Sequence, residues 1–188
     1  FAAGVVAGNI FQTFSRLIRL NPMRLAMSWS VALVLLALAL SGYGMREALR
    51  VPPVREVRMQ VPGLPDALNG FRIAQLSDLH IGPTFGKAWL TDVVARTDSL
   101  NPDLIVITGD VVDGSPSRLE EDVAPLADLK AKYGVIFAPG NHEYYSGIQQ
   151  WLPVFQRLGM HVLMNENTQI RVNGTPLAIA GVTDTAAL

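Results

Sequence analysis

The chain has 188 residues, is 49% hydrophobic and only 16% charged, and has a formal net charge of −1. A typical soluble domain is about 25% charged, and a near-neutral balance gives no electrostatic case for a nucleic acid or other acidic polymer as partner. With no cysteine, a disulfide framework and thiolate metal sites are excluded.

The chain opens with Phe1 and stops shortly after an apolar run, "LAIAGV", so a longer protein is expected. Residues 1–24 read as a truncated membrane or interfacial helix. Gly4 and Gly8 have the small-xxx-small spacing of packed membrane helices, and Phe11, Phe14 and Ile18 fit equally the apolar face of an interfacial helix. Residues 25–45 lie between Arg24 and Arg46 and carry no charge. At about 1.5 Å per residue they reach roughly 30 Å, the thickness of the hydrocarbon layer. Trp29 and Tyr43 stand near the two ends, as interfacial aromatics do. A buried core helix, or a signal peptide cleaved near Ala37-Leu38-Ala39, would have a similar pattern; the favoured reading is a transmembrane helix. Arg16, Arg19 and Arg24 precede it with no acid among them, which favours an extracytoplasmic position for the domain on its C-terminal side.

Residues 46–53 form a linker stiffened by Pro52-Pro53. Residues 54–188 form the next domain. Val54 to Val61 alternates as an edge strand would. "FRIAQLS" is a strand, expected to be central and covered by helices, and "KAWLTDVVARTDSL" is a helix over 87–100. "DLIVITG" is a continuous apolar run, as in a strand buried on both faces. "SRLEEDVAPLADLKAKYG" is a helix opened by Ser117 and closed by Gly134, with Pro125 as a kink or break. "VIFAPG" is a strand, "SGIQQWLPVFQRLG" a helix closed by Gly159, and "HVLMNE" a strand. "TQIRVNGTPLAIAGV" reads as a hairpin turning at Asn173-Gly174. Alternating strands and helices make an α/β fold, a largely parallel sheet with flanking helices.

Ligands of open α/β sheets bind beyond the carboxyl ends of the strands. Here three successive strands end in "SDLH", "TGDVVD" and "PGNHEY", delivering Asp78 and His80, Asp110 and Asp113, then Asn141, His142 and Glu143. Period-two alternation would point Asp78 and His80 the same way, and Gly109 and Gly140 permit sharp turns. Each motif alone has an ordinary reading as a turn or cap; together they converge on one edge. Carboxylate, imidazole and amide oxygen suit Mn, Fe or Zn, and a metal pair about 3.5–4 Å apart can polarise a phosphoryl group and generate hydroxide at neutral pH.

"DLH", "GDVVD" and "GNHE", on these strands, resemble the calcineurin-like metallophosphoesterase superfamily, in particular its membrane-linked or exported bacterial branch, over about residues 54–188. The resemblance implies a partial metallophosphoesterase sandwich, preceded here by the transmembrane helix. It implies two divalent metal ions (Mn, Fe or Zn). Asp78 and His80 would bind the first, Asp110 would bridge both, and Asn141 would bind the second. His142 would be the catalytic imidazole, and Asp113 would orient a ligand; Glu143 has no assigned role. The family completes its site with further histidines, including a GHxH-type pair. His161, the one histidine after His142, reads as structural, so those ligands are expected beyond Leu188 and this stretch by itself is expected to be inactive. The expected reaction is hydrolysis of a phosphomonoester or phosphodiester, with a lipid-linked or cell-envelope phosphoester as the expected substrate and with no nucleic acid and no protein partner. A nucleotide or nucleic-acid phosphodiesterase on the same scaffold, or a non-catalytic membrane-tethered binding module, are the alternatives. Tyr144 and Tyr145 either line a substrate entrance or merely cover the sheet end.

Overall fold

The computed structural model describes residues 22–185. The expectations for residues 1–21 lie outside the described residues. The chain divides into two compact units, one ending at Ala48 and one beginning at Leu49.

The described residues of the first unit form helix α1, Pro22–Ala48. Its stretch Met27–Ala48 is, by length and composition, long and apolar enough to cross a membrane. Trp29, Val31, Leu33, Val34, Leu35 and Leu38, which are spread around the helix, are all exposed. A helix apolar all round suits hydrocarbon or a protein core rather than water.

In the second unit, residues 51–61 have no regular secondary structure. The expected edge strand over Val54–Val61 is therefore not formed. Val57 and Met59 are 70% and 79% exposed, and an alternating segment is stable as a strand only with a neighbour to pair with.

Four parallel strands make the main sheet, in the order β1 (Ile73–Leu76), β2 (Leu104–Ile107), β3 (Val135–Phe137) and β4 (Met160–Val162). Register is set by the pairs Ile73 with Leu104, Ile105 with Val135, and Val135 with Met160. Parallel neighbours need crossovers, supplied by α2 (Lys87–Ser99), α3 (Pro116–Val123), a five-residue helix α4 (Asn141–Tyr145) and α5 (Ile148–Arg157). Helix α3 starts one residue before the expected Ser117, with Pro116 in its first turn, where its missing N–H costs nothing. It passes into a 3-10 turn, Ala124–Asp128, at Pro125, so that proline marks a break.

Leu90, Val93 and Val94 of α2 and Trp151, Val154 and Phe155 of α5 pack with Ile105, Ile107 and Phe137 in one core on the first face of the sheet. On the other face, Leu104, Ile136 and Leu163 meet Phe71, Tyr133 and Ile179. Ile179 belongs to the hairpin β5 (Glu166–Val172) and β6 (Thr175–Gly181). The hairpin turns at Asn173 and Gly174, with φ +49° and +87°, as a type I′ turn requires. The expectation that β1 is central is corrected. It is the edge of the described sheet, with Ala74 and Leu76 against the helical core and Ile73 left 52% exposed.

Candidate metal centre

Strand β1 ends at Leu76, and the chain then leaves the extended conformation. Asp78 and His80 have φ +56° and +44°, and Asp110, after β2, has φ +54°. All three are in the left-handed region, which costs a residue with a Cβ about 1–2 kcal/mol. Asp78 and His80, in the loop after β1, thus reach the same side through left-handed backbone, not through strand alternation. Leu79 between them is buried in the core and anchors the loop. The two loops stay zipped after the strands end: Asp78 N–H donates to Gly109 O at 3.2 Å, His80 to Asp110 O at 3.0 Å, and Ile81 to Val111 O at 2.8 Å.

The loop after β3 is brought equally close. A Cβ on Gly109 would lie 2.2 Å from Gly140 N, and one on Gly140 would lie 2.3 Å from Asp110 Oδ1. Close approach is thus what requires Gly140, whose φ of −92° is ordinary. The contact lets His142 N–H donate to Asp110 Oδ1 at 3.0 Å.

The donor atoms gather in two overlapping groups. Ligand atoms of Asp78, His80 and Asp110 lie within 4.8 Å of one another, as do those of His80, Asp113 and His142. Asp113 Oδ1 is shared between His80 Nδ1, at 3.0 Å, and His142 Nδ1, at 2.6 Å. The rings meet edge to face, with centroids 4.5 Å apart. With both Nδ1 atoms engaged, Nε2 is the nitrogen each imidazole has left for a metal or a proton. The Asp113 hydrogen bond raises the His80 pKa against the effect of burial, helped by the Asp113, Asp110 and Asp78 charges. Burial pushes the Asp113 carboxyl up, but the two imidazoles outweigh it and hold it below its usual value.

Asn141 turns its side-chain oxygen towards Asp110, with that position 3.1 Å from both carboxylate oxygens. Two acceptors then face each other without a proton between them. Reversing the amide would let it donate; a cation would equally reconcile the oxygens. Hard oxygen donors beside two imidazoles fit Mn, Fe or Zn. The six residues singled out in the sequence (Asp78, His80, Asp110, Asp113, Asn141 and His142) therefore lie together. His161 lies on β4, in register with Ile136 and outside both groups. Tyr145 is exposed, its ring 5.8 Å from His142, and forms with Asp113, Gly114, Ser115 and Ser146 the wall of a cleft beside that imidazole.

Glu143 has no role in the sequence reading. Its side chain is 0% exposed and accepts four backbone N–H groups. Oε2 takes Asp110 at 2.9 Å and Gly140 at 2.8 Å; Oε1 takes Val111 at 2.7 Å and Val112 at 3.3 Å. Burial raises its pKa, and the four N–H donors act in the opposite sense. A Glu three residues after the residue preceding a helix is the capping-box spacing, and that signal could have pointed to it.

A parallel α/β sheet that collects carboxylates, imidazoles and an amide at its carboxyl edge defines a metal-site α/β domain. The chain belongs to the calcineurin-like phosphoesterase family, whose profile matches residues 71–184. It is 36% identical to a "Transmembrane protein with metallophosphoesterase domain" of Danio rerio over 84% of this chain and 37% of that one. It is 37% identical to the Bos taurus protein of the same name, over 82% and 36%. The chain thus spans little more than a third of these relatives' length. It is also 40% identical to the UDP-2,3-diacylglucosamine pyrophosphatase LpxG of Chlamydia trachomatis, over 41% of this chain and 24% of that one.

Proposed function

We propose that this chain is part of a membrane-anchored phosphoesterase with two divalent cations, which hydrolyses a phosphomonoester or phosphodiester. The observation that carries the reading is the convergence of Asp78, His80, Asp110, Asn141 and His142 at the carboxyl ends of three adjacent parallel strands. Asp78 and His80 would hold the first cation, Asp110 both, and Asn141 the second through its amide oxygen. Mn, Fe or Zn suits these donors. When bound, such a pair neutralises charge on the phosphoryl oxygens and lowers the pKa of a water to near neutrality. His142 is the catalytic imidazole: Asp113 holds its Nδ1, leaving Nε2 to stabilise charge or pass a proton to the departing oxygen. Asp113 orients His80 in the same way.

The exposed apolar α1 supports membrane attachment, and the acid-free run Arg16, Arg19, Arg24 supports an extracytoplasmic catalytic domain. The lipid-linked compound in the name of the Chlamydia relative supports a lipid-linked or cell-envelope phosphoester as substrate. The test is hydrolysis of a chromogenic phosphodiester by the full-length protein with added Mn. Activity should disappear with a chelator and in Asp110→Asn; persistent activity in that variant would remove the bridging role.

A further inference from the structure

We infer that Glu143 is the positioning residue of the metal centre: its buried carboxylate clamps the Asp110 loop to the Asn141 loop and thereby sets the cation affinity. The inference rests on the two-cation reading above, but its evidence is independent of which cation binds. One carboxyl group accepts N–H groups from both loops, which are 33 residues apart in sequence at Asp110. A fully buried side chain making four backbone bonds is not a surface cap. It spends every acceptor direction on holding two segments that each carry a proposed ligand.

The clamp is reciprocal. Glu143 accepts Asp110 N–H, while Asp110 Oδ1 accepts His142 N–H at 3.0 Å. Each carboxylate therefore fixes the backbone from which the other loop's functional side chain projects. Asp110 needs such support, because it is held at φ +54°, a conformation that persists only where its surroundings over-determine it. The Val111 and Val112 N–H bonds extend the hold to the residues leading to Asp113, the group that carries both imidazoles. Glu143 touches no substrate or cation in this role.

Glu143→Gln keeps size and shape but turns one end of the group into a donor facing two N–H groups, whichever way the amide lies. The full-length protein in detergent should bind Mn²⁺ about tenfold or more weakly in this variant, the loss typical of residues that orient metal ligands. Titration is done well below the melting temperature, so that a merely structural loss would lower Tm and leave the affinity of the folded protein unchanged. That result would overturn the inference. Hydrogen–deuterium exchange without metal supplies the second readout, with Gly140 and residues 110–112 expected to exchange faster while β2 and β3 stay protected. If the wild type itself binds no Mn²⁺, the metal reading fails and the exchange pattern alone decides the clamp: local loss supports it, and unchanged or uniformly changed exchange overturns it. Should Glu143→Gln fail to fold, Glu143→Asp, which keeps the charge but shortens the reach, is titrated and exchanged in its place, with the same two outcomes deciding.

Discussion

Asp113 serves two imidazoles with one oxygen atom. Asp113→Asn retains the shape but replaces a charge-assisted acceptor with a neutral one. In the full-length enzyme kcat should fall about 10–100-fold, as for other groups that orient metal-site histidines, with KM changing little; steady-state kinetics separates the two. An unchanged kcat would mean the imidazoles hold their orientation unaided. Gly140 works by what it lacks. In Gly140→Ala the methyl would meet Asp110 Oδ1 at 2.3 Å and Asp110 N at 2.8 Å, so the loops must part. The expected cost is about 1–3 kcal/mol, as for other overpacked sites, together with weaker Mn²⁺ binding. Denaturant melts and metal titration test both, and a variant with wild-type values in each would show that the loops give way freely.

Among the elements, α5 supports the site from behind. Trp151 is fully buried, stacks on Phe155 with centroids 5.2 Å apart, and donates its indole N–H to Gly114 O at 2.9 Å. It thereby holds the segment just after Asp113 against the core. Trp151→Phe removes the indole donor and part of the filling volume, whereas Trp151→Ala leaves a cavity costing about 3–5 kcal/mol. Thermal unfolding should rank wild type, then Phe, then Ala. If Ala and Phe melt alike, packing is not what α5 contributes. The hairpin shows the opposite dependence. Asn173-Gly174 specifies its turn locally, and β5 and β6 alternate accordingly, with one side of each strand more buried than the other. It meets the sheet core through Ile179, and Gly181 lies close against Leu163.

On the scale of the molecule, two units differ in their relation to water. The unit from Leu49 has a buried core on both faces of its main sheet, whereas α1 exposes its large apolar side chains from Met27 to Met45. Carbonate extraction of membranes should leave the full-length protein in the pellet. A variant lacking residues 22–48 should be released if α1 is the membrane attachment; retention would place the anchor elsewhere.

Much of this was legible in the residues themselves. The 3.6 and 2.0 periodicities are local, so α2, α5, the buried strands and the Asn173-Gly174 turn could be read one segment at a time. The motif residues could too, because a parallel sheet necessarily brings the carboxyl ends of neighbouring strands to one edge. Strand order was another matter: β1 has an apolar sequence but lies at the edge of the described sheet, and Val54–Val61 alternates yet forms no strand. Alternation states only that a strand could form, while its neighbours decide whether it does. The left-handed backbone at Asp78, His80 and Asp110, the need for glycine at 140 and the four bonds to Glu143 all arise between segments distant in sequence. Sequence alone determined which chemical groups this protein brings to the sheet edge. Tertiary structure decided how they are held, because close approach and buried hydrogen bonding are properties of pairs of loops and exist only once the chain has folded.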